Sequence, residues 1–330
     1  MKEQDEETIP FTEVLEAVFT NESVPIHLLY RFSDMNKDET TQFHKVWPKI
    51  DDERRQVVVR HLADLTEENF VVDFSPIFIH CFNDPYEFVR EAALDGVWDE
   101  TDIRLVTPII EIMQSDESLA VRAAAARALA HYVLLAEWGQ LPSRISPKII
   151  EALLIEYDKP ETSVPVRRAT LEALGAANHP RVAQLIEEAY EDADIAMQLS
   201  AVFAMGISAD KRWAAIVLAE MENPNPDMQA EAARAAGIIG GSDAIPQLSE
   251  LATDEDLDVQ AAAIQALAQI GGEMAESVLA GLLEDEEFAE VHDLIEESLE
   301  EMALLSGELD VFDYLENQPD DLDDEGYLLN

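Results

Sequence analysis

The sequence holds one cysteine, Cys81, in 330 residues, so no internal disulfide forms and stability has to come from packing. Bases are scarce as well. Lys plus Arg number 21 against 70 Asp plus Glu, a net charge of −49, which makes a phosphate backbone or an anionic bilayer a repulsive partner. Nucleic-acid binding is therefore not expected. No uninterrupted apolar run approaches the ~18 residues that span a bilayer, and the stretch from Met1 to Pro10 is acidic rather than basic and then apolar, so neither membrane insertion nor export is expected. A location in the reducing cytosol is the expectation, and a monomer is expected. Cys81 sits in the apolar run Ile79 to Phe82, which reads as packing rather than reactivity. Period-two alternation is missing throughout, which leaves an all-α chain.

The shortage of bases is uneven. Arg234 is the last of them, and residues 235–330 carry 27 acids and no Lys or Arg. The C-terminal end is the acidic pole, suited either to solvation of an Ala-rich surface or to steering of a basic partner.

What is present in abundance is repetition. An apolar residue followed by a long polar one recurs at Val59-Arg60, Val89-Arg90, Val121-Arg122, Val166-Arg167, Met197-Gln198, Met228-Gln229, Val259-Gln260 and Val291-His292. The spacing is 30 to 32 residues except for one interval of 45, and a fixed period of this size marks a repeat array. Counting from each apolar anchor, positions +3, +4, +7 and +8 are mostly small or apolar, as in Ala124, Ala125, Ala128 and Leu129, the spacing of one helical face. A second amphipathic stretch precedes each anchor. An acid or amide stands five residues ahead of most anchors (Asp84, Asp116, Glu161, Asp192, Asn223, Asp254, Glu286), a candidate cap for the helix that follows. Gly175, Gly206, Gly240-Gly241 and Gly271-Gly272 fall where those helices should end, in positions suited to a left-handed backbone.

These residues resemble the HEAT repeat, and more closely the short HEAT-like variety of the phycobilin lyases, in which Asp-x-x-x-x-Val-Arg-x-x-Ala-x-x-x-Leu recurs. The match is good over residues 84–283, weak at Val59, where Glu67 occupies an apolar position, and weak after Val291. The resemblance implies a right-handed α-solenoid, a superhelix of about eight helix-pair repeats with second helices on the inner side. It says little about function. Residues 1–50 read as an atypical helical N-terminal cap with its own aromatic core (Phe11, Phe19, Tyr30, Phe32, Phe43, Trp47). Residues 51–305 form the array, with an insertion at 139–147. A C-terminal capping helix is expected at 306–318 and an acidic disordered tail at 319–330.

No catalytic or metal-binding residue is assigned, and no cofactor is expected. The HEAT-like deoxyhypusine hydroxylases carry His-Glu pairs, and none of the seven histidines here is followed by Glu. The HEAT-like alkylpurine DNA glycosylases need a cationic surface, which this chain lacks. His61, His80, Cys81 and Asp84 can converge across neighbouring repeats, but packing and capping account for them better. In the tail, Asp321, Asp323, Glu325 and Gly326 mimic the start of a calcium loop, but the chain stops at Asn330 before the acid that such a loop requires. A non-catalytic protein-interaction scaffold remains, with a lyase or isomerase of the phycobilin-lyase type as the alternative. The candidate residues for gripping a protein or peptide, a basic one by charge, are Gln229, Asp254, Glu255, Asp256, Gln260, Glu284, Asp285 and Glu286. Arg90, Arg122 and Arg167, with the turn acids Asp84, Asp116 and Glu161, are candidates for a ladder that either stiffens the stack or meets a partner.

Overall fold

The computed structural model describes residues 9–33, 35–68 and 71–306, and every regular element among them is helical. The chain falls into two units, Met1–Ala189 and Tyr190–Asn330. The expected segments 306–318 and 319–330 lie outside the described residues, apart from Ser306.

The first unit opens with α1 (Phe11–Thr20), α2 (Ile26–Leu29) and α3 (Lys37–Val46). Asn36 starts α3 with a capping box: its side chain accepts from the Asp38 and Glu39 N–H groups, and Glu39 returns a bond to the Asn36 N–H. Phe19, Phe32, Phe43 and Trp47 form the aromatic core expected there, with Phe43 and Trp47 stacked at 5.0 Å. Tyr30 is not part of it. It lies in a turn of 3-10 helix with its ring exposed.

Helix α4 (Asp52–Glu68) follows, then the pairs α5 (Ser75–Cys81) with α6 (Glu87–Asp95), α7 (Val106–Ser115) with α8 (Leu119–Glu137), and α9 (Ile145–Asp158) with α10 (Val164–Leu174), and finally α11 (Pro180–Tyr190). Helices α4, α6, α8 and α10 pack successively on one another, while α5, α7 and α9 each cover the second helix of their own pair. The second unit repeats the plan. It begins with α12 (Ile195–Ile207) and continues with α13 (Ala214–Glu220) and α14 (Pro226–Ile239), α15 (Ile245–Leu251) and α16 (Leu257–Ile270), and α17 (Gly272–Leu283) and α18 (His292–Ser306). Here α12, α14, α16 and α18 form the inner succession. Both units are therefore stacks of helix pairs, the all-α solenoid plan that the period implies.

All eight anchors are buried, each Val or Met contributing roughly 1.5–3 kcal/mol of transfer free energy. Six of them hold the third position of their helix. The two exceptions are the weak repeats: Val59 sits halfway along α4, and Val291 ends the 3-10 turn ahead of α18. Alanines four residues past the anchors, among them Ala125, Ala232 and Ala263, are fully buried. Their small side chains let neighbouring second helices approach closely.

Two glycine expectations need correction. Gly240 and Gly271 do take positive φ, 69° and 67°, at the ends of α14 and α16. Gly175 is right-handed at φ −50°, and Gly206 lies inside α12. A Cβ on Gly206 would sit 2.8 Å from the Ala235 Cα on α14, so this glycine serves close helix approach. Helix α8 is a further correction. By length and composition it is apolar enough to cross a membrane, since Arg122 and Arg127 are its only bases. More than half of that stretch is buried among α6, α7, α9 and α10, which is where its apolarity is used. The insertion is shorter than the range 139–147: α9 begins at Ile145, and Pro147 occupies its first turn, where a missing N–H costs nothing.

Candidate functional site

One register unites the polar groups of both stacks. Arg55, Arg90, Arg122, Arg167, Gln198, Gln229 and Gln260 each hold the fourth position of their helix. From there a long side chain faces the last turn of the preceding helix, whose final carbonyls have no helical partner. Arg167 reaches the carbonyl of Lys159, Gln229 that of Met221 and Gln260 that of Ala252, the C-cap residues just past α9, α13 and α15. Arg122 donates to Met113, Gln198 to Asp192, and His292 lies 3.1 Å from the carbonyl of Asp285. Arg60, one turn further along α4, is outside the register and makes an exposed pair with Asp95 at 2.9 Å.

In the first unit the arginines carry a second prong into a neighbouring repeat. Asp84 is buried and takes four hydrogen bonds of 2.9 Å, from Trp47 Nε1, from Arg55 Nε and Nη2, and from the Tyr86 N–H. That fills the acceptor capacity of a carboxylate. Arg90 grips Asp116 with two bonds of 2.8 Å and donates to the Asp84 carbonyl at 2.9 Å. The bonds and charge of Asp116 outweigh desolvation and hold the Arg90 guanidinium above its ordinary range. Arg122 pairs closely with Glu156, which is fully buried, is met by Lys159 at 2.6 Å, and has its own carbonyl bonded by Thr162. Glu161, expected in that role, is exposed. The reason is local. Glu156 sits on α9 itself, so its carboxylate is delivered by a helix rather than by the wide 159–163 turn. Arg167 has no acid. It lies over the Tyr157 ring at 5.8 Å, with its Nε buried and unpartnered among the described residues.

The acids and amides ahead of the anchors do not cap the helix. Asp84, Asp116, Asp192, Asn223 and Asp254 each accept from the N–H two residues on, closing a small side-chain turn. In the second unit that next residue is the true cap: Asp194, Asn225 and Asp256 accept from the N–H groups of Ala196, Asp227 and Asp258. Asp254 and Asp256 are thus half-buried and engaged, whereas Glu255, Glu284 and Asp285 are exposed. The Glu286 side chain lies outside the described residues. Gln229 is half-buried and Gln260 buried, and each amide donates one N–H to a turn carbonyl.

The groups that carry chemistry elsewhere are packed here. Burial raises the Cys81 thiol well above its ordinary range. Burial lowers His80, which stacks on His44 at 4.2 Å, and the neighbouring His44 charge lowers it further. Burial also lowers His131 and pushes the Tyr132 hydroxyl up. Asp84 is saturated as described. No cluster of three metal-ligating side chains occurs among the described residues. A groove of about 770 Å³ runs along the exposed side of α9 between Pro147, Ile155 and His179.

Sequence missed two features, the Arg55 register and the role of Trp47. A single signal pointed to the first: Arg55, like Arg90, stands shortly after the acids that open a helix.

Two family models match the chain. The PBS lyase HEAT-like repeat covers residues 166–192 and HEAT repeats cover 214–300. No curated protein matches by sequence. Among solved structures, the X-ray structure of Escherichia coli YibA is 18% identical with a TM-score of 0.45, over 86% of this chain and 98% of that one. Human deoxyhypusine hydroxylase in complex with glycerol is 16% identical with a TM-score of 0.36, over 81% and 96%. An engineered protein is 17% identical with a TM-score of 0.38, over 90% and 85%.

Proposed function

We propose that this chain, a HEAT-repeat protein, is a non-catalytic protein-interaction module whose acidic C-terminal half receives a basic protein or peptide. The observation that carries this reading is how its polar groups are distributed. The ladder side chains are spent on turns and neighbouring repeats, leaving no set of convergent reactive groups among the described residues. The exposed charge there is acid: Glu255, Glu284 and Asp285 lie at the surface in a region with no Lys or Arg after Arg234. A field of one sign raises the association rate of an oppositely charged partner more than it prolongs the complex.

The test is capture of partners from the native host, followed by association kinetics with the captured protein. Neutralising Asp254, Glu255, Asp256, Glu284, Asp285 and Glu286 should slow association several-fold, roughly as raising salt from about 0.05 to 0.5 M does by screening. A rate indifferent to both changes overturns the steering role. A chromophore retained on purification, visible in the absorbance spectrum, would favour the lyase reading that one matching family's name suggests.

A further inference from the structure

The turn that joins α9 to α10 holds more positive charge than the acids around it take up. Arg122 and Lys159 share one carboxylate, that of the fully buried Glu156. Asp158 is taken by Arg181 at 3.2 Å, and Arg168 pairs with Glu172 at 3.6 Å. Glu161 is exposed and meets none of these bases among the described residues. That leaves Arg167. Its side chain makes one hydrogen bond among the described residues, a long one of 3.5 Å to the Lys159 carbonyl, and its Nε is buried without an acceptor. One helical turn earlier on α10, the Ser163 hydroxyl is buried and unpartnered among the described residues as well. A buried polar atom without a partner costs free energy, and two of them on the same turn as an uncompensated guanidinium point to an anion that comes from outside.

We propose that Arg167 and Ser163 form a binding site for a carboxylate, supplied either by an acidic side chain of a bound protein or by a small free acid. The register identifies the ligand. Arg55 and Arg90, at the same helix position, each turn Nε and Nη2 together toward a carboxylate, that of Asp84 and that of Asp116. Arg167 carries the same planar edge, and that edge matches the two oxygens of a carboxylate. Arg55 and Arg90 are buried and closed to solvent, whereas Arg167 is half-buried, so a ligand can reach its guanidinium. The Tyr157 ring lies against the guanidinium at 5.8 Å and limits its swing. All of these groups belong to the first unit, so the site does not depend on the acidic C-terminal half.

The test uses the full chain with isotope-labelled arginine and follows the Nε–H resonances by NMR. The chain is titrated with sodium acetate, with an end-blocked Gly-Glu-Gly peptide, with its Gly-Gln-Gly counterpart, and with sodium chloride at matched ionic strength. The signal absent from Arg167→Lys, or from Arg167→Gln, identifies Arg167; the lysine variant keeps the charge and loses only the fork. In the unmodified chain that signal should shift saturably with a carboxylate, half-saturating on the order of 10 mM, the strength of a single charge-assisted contact. Gly-Gln-Gly and chloride should leave it in place. A shift with the Glu peptide alone assigns the site to a polypeptide side chain; a shift with acetate, alone or as well, assigns it to free acids too. Arg168→Gln, which breaks only the pair with Glu172, should leave the titration unchanged. No saturable shift with either carboxylate, a shift that chloride or the Gln peptide reproduces, or a titration lost in Arg168→Gln overturns the site.

Discussion

Arg90 on α6 and Asp116 in the turn before α8 meet through two parallel hydrogen bonds of 2.8 Å, both side chains almost wholly buried. Removing one partner of such a pair leaves a charge without water or counter-charge, a loss of about 3–5 kcal/mol. Asp116→Ala should therefore lower the urea midpoint sharply. Asp95→Ala breaks its solvent-screened pairs with Arg60 and Arg127 and should cost about 1 kcal/mol or less. Equal midpoints for the two variants would show that the buried ladder does not stiffen the stack.

Close helix approach gives a second contrast. Gly206→Ala places a methyl 2.8 Å from the Ala235 Cα, and that backbone cannot swing aside, so a loss of roughly 1–3 kcal/mol is expected. Ala232→Leu and Ala263→Leu, at fully buried positions, should fall in the same range. Gly281→Ala, in the exposed part of α17 with nothing within 4 Å of the new carbon, should stabilise by about 0.5–1 kcal/mol through lower chain entropy. Thermal melts of the four variants read both signs.

The sequence showed where repeats begin but not how each turn is held. Period, anchor and buried alanines follow from local helical spacing, which one chain displays. The acid or amide five residues ahead of most anchors was visible too, yet its job was not, because Asp192 and Asp194 can each cap a helix and only the backbone path decides which one does. Asp84 illustrates the harder case. Its donors Trp47 and Arg55 lie 37 and 29 residues away, and no periodicity links them. Gln260 looked available for a partner because amides are usually solvated; the carbonyl that claims it is eight residues back, across a turn.

A pH dependence follows from the His44 and His80 stack. Burial and the neighbouring ring lower the His80 pKa in the folded chain, so between that value and the unfolded value of about 6.5 the unfolded chain binds more protons. Its contribution to stability is present above about pH 6.5 and is lost as pH falls through the folded value. His80→Gln should flatten the slope of unfolding free energy between about pH 7 and 5. An unchanged slope in chemical denaturation at these pH values would remove His80 from the account.

Cys81 offers a clean probe of local opening. The side chain is fully buried and its thiol is raised well above the usual range, so the reactive thiolate is scarce until α5 opens. Alkylation in native buffer should be slower than in urea by a factor on the order of a hundred or more. Comparable rates would mean that α5 opens freely in the native state.

The ladder also bears on how such a chain can lengthen or shorten over generations. In the second unit Gln198, Gln229 and Gln260 bond to carbonyls six to eight residues back, inside a single period. A cassette of 31 residues cut out or copied there leaves every one of these amides with its own acceptor. In the first unit Arg55, Arg90 and Arg122 bind acids 26 to 34 residues ahead, so the same recombination strands a buried guanidinium or carboxylate. The first unit is locked at its present repeat number by its ion pairs, while the second, which holds few bases, is free to vary in length and to carry its excess acid with it.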